Sequence, residues 1–347
     1  VMATVKHLLV IRLSAMGDVA MTVPVLTALT KTYPELKITV LTRGFFKPIF
    51  SQLPNITIYE PDLKGKHKGI IGLYKLYTEL KALKIDAVAD LHNVLRTKIL
   101  KLYFSFGKIP VVQIDKGRAE KKALTTLKKD KKIQQLKTTH ERYADVFSKL
   151  GFPLLLGKVT LNSKINLSHA LTNKIAGNDQ KWIGIAPFAA FSGKMYPLDI
   201  MEKVVAALNN TKKYKIILFG GGAKEEALLN LWETKYTEVV NMANKVSFKE
   251  ELALISNLAA MVAMDSGNAH LAANYAIPTI TLWGVTHPYA GFYPFGQATE
   301  NALLSDRKKY PLIPTSVYGN KYPEGYENVM TTISPESIVL KIEKLLN

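Results

Sequence analysis

The stretch AAMVAMDSGNAHLAANYAIPTITLWGV, from Ala259 to Val285, decides the fold class. Its apolar run Ala260–Met264 is followed by a polar break, a short helical pattern and a second apolar run, Thr279–Trp283. Apolar runs of this length, bounded by turn residues, are typical of buried strands in a parallel sheet. The stretch therefore predicts a strand–helix–strand unit of an α/β protein.

The polar break combines residue types that suit a phosphate site: Asp265, Ser266, Gly267, Asn268 and, two residues further on, His270. Gly267 permits a tight turn, and the free N–H groups at the start of the helix then lie at the carboxyl end of the strand. Such a helix start attracts anions, phosphates above all. Asp and Ser also cap helices that bind nothing. Capping alone does not account for Gly267 and His270 on one turn, so the pattern favours a phosphate site.

Strand and helix patterns alternate in two series along the chain. The first half has strand patterns at His7–Leu13, Lys37–Thr42, Ile56–Tyr59, Ile85–Leu91 and Ile109–Ile114. The second half has them at Trp182–Pro187, Lys215–Phe219 and Val239–Met242, before the quoted unit. This alternation predicts two Rossmann-like, doubly wound α/β domains. We expect them to face a central cleft lined by strand carboxyl ends, where ligands of such sheets bind.

The boundary between the domains is expected in Phe152–Asp179, an irregular and polar stretch. We therefore predict an N-terminal domain over 1–165, a C-terminal domain over 166–330 and a terminal segment over 331–347. That segment contains an amphipathic helix pattern, Pro335–Leu346. We expect this helix to pack back on the N-terminal domain.

Composition narrows the class of protein. At 347 residues with 48% hydrophobic content, the chain is long enough for two cores. It has no cysteine, which excludes disulfides and thiolate metal sites. No apolar run has the length of a membrane span, and the first residues lead into a strand pattern without a signal peptide. We expect a cytoplasmic protein.

Positive charge is concentrated in the first half. The formal net charge is +18, and residues 1–150 hold 27 of the 46 Lys and Arg but only 12 of the 28 Asp and Glu. Within 116–137, nine basic residues accompany only Glu120 and Asp130. Uneven charge of this kind indicates an anionic partner: nucleic acid, an anionic membrane or a phosphorylated substrate. We expect the segment 116–137 to be mobile in the absence of that partner.

Two further residues are candidates for chemistry at strand ends. Asp18 follows a strand and a small-residue turn, so it either complements a helix dipole or serves as a general base. Lys194 lies in the loop after the first strand of the second half and could neutralise a diphosphate. Gly220–Gly222 is not a dinucleotide fingerprint, and no Walker loop, Asp-x-Asp pair or metal-ligand spacing of histidines is present.

The order of these motifs resembles one family over essentially the whole chain. The matching motifs are S-A-M-G-D at 14–18, A-D-L-H-N-x-x-R at 89–96, H-E-R at 140–142, K-x-x-P at 194–197, D-S-G-N-A-H at 265–270 and W-G-V-T-H-P at 283–288. Together they resemble the ADP-heptose:lipopolysaccharide heptosyltransferases, glycosyltransferase family 9, which have the GT-B fold. The resemblance implies a metal-independent, inverting transfer of heptose from ADP-heptose to the sugar core of lipid A, with no cofactor.

The resemblance also implies roles for particular residues. Asp18 matches the catalytic base, Lys194 the lysine on the donor diphosphate and Glu225 the acidic residue that holds the ribose. Donor binding is further implied for Val246, Asp265, Ser266, Gly267, Asn268 and His270. Acceptor binding is expected of Gly17, His92, Asn93, Arg96, Lys116, Arg118, Lys121 and Lys122. The expected partners are the donor, a phosphorylated lipid-linked acceptor and the cytoplasmic face of the inner membrane, with the protein a peripheral monomer that binds no nucleic acid.

Departures from the family pattern leave alternatives open. Ser266 replaces the usual Thr, Val285 stands where Pro usually follows Gly284, and the adenine side reads N-K-V-S-F at 244–248. The last two put the donor base and its sugar in question. A nucleotide-sugar epimerase or phosphorylase of the same shape is a second interpretation. A nucleic-acid-binding protein is a third, supported only by the charge.

Overall fold

The computed structural model describes residues 5–157, 159–175 and 179–347, and it divides into two compact units. The first unit comprises Val1–Lys116 and Thr139–Leu161. The second comprises Gly117–Thr138 and Asn162–Asn347. The segment 117–138 therefore belongs to the second unit, whereas the boundary predicted at 165 assigned it to the first.

The elements alternate as the sequence predicts. The strands are β1 His7–Ile11, β2 Lys37–Leu41, β3 Ile56–Tyr59, β4 Ala87–Asp90, β5 Val111–Gln113, β6 Lys181–Ala186, β7 Tyr214–Leu218, β8 Val239–Asn241, β9 Ala260–Met264, β10 Thr279–Trp283 and β11 Ala302–Leu304. The α-helices are α1 Met16–Ala20, α2 Thr22–Thr32, α3 Gly69–Ala82, α4 Leu95–Phe106, α5 Arg118–Leu124, α6 Thr139–Lys149, α7 His169–Ile175, α8 Leu198–Thr211, α9 Ala223–Lys235, α10 Phe248–Ser256, α11 Gly267–Ala273 and α12 Pro335–Leu346. Among the described residues, none of these helices combines the length and the apolar character needed to cross a bilayer.

The first unit is built on a parallel sheet of order β3-β2-β1-β4-β5. Every residue of β1 and β4 is buried, as expected of central strands covered on both faces. Leu9 and Ile11 on β1 pack with Leu76 of α3 and Phe104 of α4 in one core cluster. Because β1 and β4 are neighbours, the loops that follow them start side by side.

The second unit is built on a parallel sheet of order β11-β10-β9-β6-β7-β8. Strands β9 and β10 coincide with the two apolar runs of the sequence, and Met264 pairs with Leu282. All ten of their residues are buried. The loops after β6 and β9 start next to each other, because these strands are also neighbours.

Two helical regions refine what the sequence pattern indicates. The helix pattern that follows residues 14–18 and runs to about Lys31 is interrupted at Met21, between α1 and α2. Pro24 lies in the first turn of α2, where its missing N–H costs no helical hydrogen bond, so it favours a new helix start. The stretch 152–179 contains α7, whose Leu171 and Ile175 are buried; residues 176–178 lie outside the described residues.

The prediction that the C-terminal helix packs back on the first domain is wrong. Helix α12 packs on α8 and on strands β9 and β10 of the second unit. Ile338 and Ile342 are fully buried in the core of that unit. The four-residue spacing of these isoleucines forms one apolar stripe, which the second sheet buries.

The segment 117–138 is ordered by its own apolar residues. Leu124 and Leu136 form a small cluster with Ala290. Lys121 is 7% exposed, and its Nζ lies 4.5 Å from the centre of the Phe292 ring. The segment therefore contains a helix and packed side chains, which these leucines and the cation–π contact of the lysine stabilise. Its mobility in the absence of an acceptor stays a prediction.

The position of this segment also changes the distribution of charge. The first unit holds 20 Lys and Arg against 10 Asp and Glu, and the second holds 26 against 18. The net charges are therefore +10 and +8. Positive charge concentrated in the first half of the sequence is shared almost equally by the two units.

Candidate active site

Asp18 lies in the first turn of α1, directly after the loop that follows β1. Its Oδ2 forms an ion pair with Arg12, with 2.6 Å between Nη2 and Oδ2, and accepts a hydrogen bond from the Ala15 amide at 3.3 Å. The side chain of Asp18 is 28% exposed. Among the described residues, no group hydrogen-bonds to Oδ1, so this oxygen can accept a proton from a substrate.

Buried groups hold this carboxylate in position. Arg12 is 7% exposed and also donates from Nη1 to the Leu91 carbonyl, at 2.8 Å. The hydroxyl of Tyr143 on α6 donates to the Asp18 carbonyl, at 3.1 Å, and burial raises the pKa of this tyrosine. Gly17 precedes Asp18 in α1, and its carbonyl accepts the amide N–H of Met21 at 2.9 Å. The geometry fixes Asp18 relative to the ends of both β1 and β4.

The end of β4 is organised by Asp90, which is fully buried. Its Oδ1 accepts the amide N–H groups of His92 and Asn93, both at 2.9 Å, and its Oδ2 accepts from the Gln113 side chain at 2.7 Å. Asn93 adopts φ +45° and donates from Nδ2 to the Ile114 carbonyl. These bonds define the turn that presents His92 and Asn93 at the carboxyl edge of the sheet.

Cationic side chains surround His92. Its pKa is lowered to about 3 by burial and, in decreasing order, by the charges of Arg12, Lys116, Arg96 and Arg43. The imidazole is therefore neutral at physiological pH, while the carboxyl edge of the first sheet is strongly positive. An edge of this kind attracts an anionic ligand.

The sequence analysis missed Arg12 and Arg43. Each lies within two residues of the end of a buried strand. The apolar run HLLVIRL includes Arg12, and a buried arginine needs an acidic or hydrogen-bonding partner. An arginine inside an apolar run, followed six residues later by Asp18, is the sequence signal that could have identified the Arg12–Asp18 ion pair.

In the second unit, a glycine-lined contact positions Lys194. The Val285 amide donates to the Gly193 carbonyl at 2.8 Å, and the Gly193 amide donates to the Gly319 carbonyl at 3.2 Å. A Cβ on Gly193 would lie 2.5 Å from that Gly319 oxygen, and one on Gly284 would lie 2.2 Å from the Gly193 oxygen. Only glycines allow this approach, which places the 192–194 turn against the segment after β10.

Lys194 reaches the loop that follows β9. Its Nζ lies 3.9 Å from Oδ2 of Asp265, and the two side chains are 15% and 8% exposed. Ser266 is the N-cap residue of α11, but its side chain caps no helical N–H. Among the described residues, the buried Ser266 Oγ and Asn268 Oδ1 have no hydrogen-bond partner. Buried polar atoms of this kind indicate a site completed by a ligand.

Glu225 and Val246 lie after the neighbouring strands β7 and β8. Oε2 of Glu225 accepts the Gly221 amide at 2.7 Å, and Oδ1 of Asn244 accepts the Gly222 amide at 3.3 Å. Val246 is half-buried in the turn after β8. The ends of parallel strands share one edge, so these residues line the same edge as Lys194 and Asp265.

Comparison with known proteins identifies the family of this chain. A model of glycosyltransferase family 9 (heptosyltransferase) matches residues 73–320. The chain belongs to glycosyltransferase family 9. It is a glycosyltransferase, and the resemblance drawn from the motifs is confirmed.

Family 9 relatives match along the full chain. The lipopolysaccharide core heptosyltransferase OpsX of Haemophilus influenzae is 25% identical over 98% of this chain and 97% of its own. A family 9 glycosyltransferase from Veillonella parvula has a TM-score of 0.73 at 20% identity, covering 98% of this chain and 97% of that one. The ADP-heptose LPS heptosyltransferase II of E. coli has a TM-score of 0.68 at 20% identity, covering 98% of both. The predicted GT-B fold, with two Rossmann-like α/β units, is confirmed.

The acceptor residues expected of this family 9 chain divide between the two units. His92, Asn93 and Arg96 lie with Asp18 and Lys116 in the first unit. Arg118, Lys121 and Lys122 lie on α5 in the second unit. The contact of Lys121 with Phe292 buries it, so it is not an exposed acceptor ligand.

Lys122 lines a cavity of about 460 Å³ within the second unit. The other lining residues are Thr125, Thr126, Leu127, Thr315, Lys321, Tyr322 and Pro323. Among the described residues, neither Lys122 nor Lys321 has an acidic ion-pair partner, and the buried Thr315 Oγ1 has no hydrogen-bond partner. Tyr322 also contacts the Lys194 turn, because its hydroxyl is 3.2 Å from Ser192 Oγ.

Metal-ligating side chains do not cluster in either unit. Within 5–157, 159–175 and 179–347, no group of three or more His, Asp or Glu side chains is arranged to hold a metal ion. The positive charge at the candidate site comes from lysine, arginine and backbone N–H groups.

Proposed function

We propose that this protein transfers heptose from ADP-heptose to the inner core of a lipopolysaccharide acceptor. Family membership and the names of the relatives support the reaction class and both substrates. The observation that carries the proposal is the loop after β9. There Lys194 approaches Asp265, and among the described residues the buried Ser266 Oγ and Asn268 Oδ1 have no hydrogen-bond partner, so the polar groups of a bound donor can satisfy them.

The second unit supplies the donor side in this proposal. Lys194 neutralises the diphosphate as a point charge, and the 265–270 loop contacts the diphosphate and the sugar. Glu225 accepts from the ribose hydroxyls through the oxygen that Gly221 leaves available. Val246 packs against the adenine. As the bond from the anomeric carbon to the diphosphate breaks, negative charge grows on the departing ADP, and these groups stabilise it.

The first unit supplies the acceptor side. An acceptor hydroxyl attacks the anomeric carbon of heptose from the face opposite the diphosphate and inverts the configuration. Its proton passes to Asp18, whose Oδ1 is open while Arg12 holds Oδ2. Gly17, His92 and Asn93 contact the acceptor sugar, and the cationic edge formed by Arg96 and Lys116 binds its anionic groups.

The remaining expectations are part of the proposal. The reaction requires no metal or cofactor, since lysine and backbone N–H groups can neutralise the departing diphosphate. The protein works at the cytoplasmic face of the inner membrane as a peripheral monomer. Exposed Arg118 and Lys122 on α5 would meet phosphates of the acceptor.

The epimerase or phosphorylase alternative is not favoured, because the family model describes sugar transfer. The nucleic-acid alternative is supported only by charge, and the basic segment that suggested it is partly buried against Phe292.

A transfer assay tests the proposed function. Purified protein is incubated with ADP-heptose and a delipidated inner-core oligosaccharide, and both ADP and glycosylated product are quantified. We expect equal amounts of the two, no product without acceptor and no effect of EDTA. Conversion of the donor without acceptor would indicate an epimerase, and loss of transfer in EDTA would exclude the metal-independent mechanism.

A further inference from the structure

An apolar face of the first unit remains exposed on α3 and α4. Six of the large apolar side chains on these helices are between 52% and 76% exposed: Ile70, Ile71, Tyr74, Leu95, Leu102 and Phe106. A surface helix normally exposes polar residues opposite its buried stripe. Contiguous exposed apolar patches mark interaction sites, so this face indicates a binding partner.

The six side chains lie on two helices that pack against each other, and the contacts between them join Ile70 and Tyr74 of α3 to the C-terminal part of α4. The Tyr74 and Tyr103 rings are 5.4 Å apart, and the Tyr103 hydroxyl donates to the Ile70 carbonyl at 3.2 Å. Leu95, Leu102 and Phe106 follow a spacing of seven and four residues, which places them on one side of α4. The opposite sides of both helices are already buried in the core.

Lysines border this apolar face. Exposed lysines lie at the start of α3 and on both helices: Lys68, Lys75, Lys81 and Lys98. Glu79 is the one acidic residue in the sequences of the two helices. The Glu79 carboxylate pairs with Lys66, accepts a hydrogen bond from the Tyr59 hydroxyl and lies beside His67. These interactions, that with Lys66 first, lower the pKa of Glu79 to about 2. The border therefore carries net positive charge.

We propose that this face, α3 with α4, docks on the surface of an anionic phospholipid bilayer. Apolar side chains enter the boundary between headgroups and acyl chains, and lysines bind the lipid phosphates. Charge complementarity selects a membrane as the occupant, because an apolar face bordered by lysines matches an anionic interface. The inference rests on the proposed function, since a lipid-linked acceptor brings the enzyme to a membrane.

Helix α4 connects this face to the acceptor side. It begins two residues after Asn93, and Arg96 in its first turn belongs to the cationic edge around His92. Docking of α4 would hold that edge at the bilayer surface, where the sugar of a lipid-linked acceptor emerges.

Sedimentation with vesicles tests the proposal on the full chain. We expect the protein to bind vesicles of phosphatidylcholine with phosphatidylglycerol and to bind phosphatidylcholine vesicles weakly. The double variant Ile71→Glu/Phe106→Glu should reduce binding roughly tenfold or more, because it places charge in the docking face. Lys75→Glu/Lys98→Glu should have a similar effect that is strongest at low salt.

The matched control is Leu231→Glu/Leu340→Glu. These leucines are 66% and 63% exposed on α9 and α12 of the second unit, and their replacement should leave vesicle binding unchanged. Wild-type binding by Ile71→Glu/Phe106→Glu would overturn the proposal. A second outcome would also overturn it: the wild type is a dimer in solution, and the variant dissociates the dimer but binds vesicles as before. The face would then join two copies of the chain.

Activity separates this inference from the proposed function. Ile71→Glu/Phe106→Glu should transfer heptose normally to the delipidated oligosaccharide and poorly to the same acceptor held in vesicles. Loss of vesicle binding in this variant, with no transfer by the wild type to either acceptor, would support the docking face and reject the proposed function. Equal transfer to both acceptors by wild type and variant would reject the docking face alone.

Discussion

Arg12 determines which oxygen of Asp18 is available for the proton transfer proposed above. It binds Oδ2 at 2.6 Å and is itself fixed by the Leu91 carbonyl, so the carboxylate cannot rotate freely. Asp18 Oδ2 also accepts the amide N–H of the N-cap residue Ala15, so this carboxylate caps α1. Capping uses Oδ2 and leaves Oδ1 for a substrate, so the two roles are compatible and only activity distinguishes a base from a residue that caps alone.

Asp18→Asn should abolish most transfer while donor binding stays close to normal. Asparagine keeps the shape of the side chain but cannot take the acceptor proton, and loss of a general base lowers rates by about 10²–10⁴-fold. The measurement is kcat for transfer beside the Kd for ADP. Transfer at a nearly normal rate would show that Asp18 is a structural residue.

Lys194→Ala should weaken binding of ADP-heptose about ten- to hundredfold, the loss expected when a hydrogen bond to a charged group is removed. Adenosine has no phosphates, so its affinity should change little. Calorimetric titration with both ligands distinguishes the cases, and thermal melting checks that Asp265 tolerates the loss of its partner. Equal losses for both ligands would place Lys194 outside the phosphate site.

At the scale of elements, the sequence predicts the bounds of a strand best where every residue of that strand is buried. Strands β9 and β10 have the predicted bounds because all their residues are apolar or small and enclosed by the sheet. Helix α5 and the packing of its segment were not predicted, because the charge of residues 116–137 gives no sign of either. The contact of Lys121 with Phe292 joins residues 171 positions apart, and no local pattern reports such a distance.

The same limit applies to the site residues. Strand ends identified Asp18, Lys194 and the 265–270 loop, because turn residues after apolar runs are visible in sequence. The burial of Arg12 and the unpaired state of the buried Ser266 Oγ depend on the surrounding fold, so the sequence pattern alone does not establish them.

The cavity beside α5 allows a test of the basic segment. Lys122→Ala/Lys321→Ala should raise KM for the acceptor several-fold, because it removes two cations, which form no ion pair with any described acidic residue, from a cavity partly lined by threonines. The Kd for ADP should stay the same. Lys128→Ala/Lys129→Ala, exposed lysines of the same segment, is the control. Equal effects of the two pairs would mean that the segment acts only through its total charge.

At the scale of the whole molecule, the net charge is +18, and in both units positively charged side chains lie near one another. In the second unit, His287 lies among Lys131 and Arg307; burial, then these charges, lower its pKa to about 4. Burial and Arg307 also lower the pKa of Lys131 to about 8. In the first unit, burial and then the charges of Arg12, Lys116, Arg96 and Arg43 lower the pKa of His92 to about 3. Each unit thus holds a histidine whose neutral form is stabilised by the native fold.

This arrangement predicts that the two histidines make acid destabilising below about pH 6.5, while Glu251, whose pKa burial raises to about 7, opposes the effect of one histidine between pH 7 and its unfolded pKa. Between the unfolded pKa near 6.5 and the native values of about 3 and about 4, the unfolded chain binds protons that the native chain does not. The free energy of unfolding therefore falls as pH falls, by about 1.4 kcal/mol per pH unit for each histidine well below pH 6.5. Urea unfolding followed by tryptophan fluorescence from pH 7 to pH 4.5 measures this slope.

His92→Gln and His287→Gln should each remove one part of that slope. Glutamine keeps a polar side chain at the site but does not titrate, so each variant should lose less stability than the wild type between pH 7 and pH 4.5. Their stabilities at pH 7 report any packing cost separately, since His287 Nδ1 accepts the Tyr289 amide at 3.1 Å. If both variants lose stability in parallel with the wild type, the acid sensitivity arises from other groups, and the cations around the two histidines do not control their protonation.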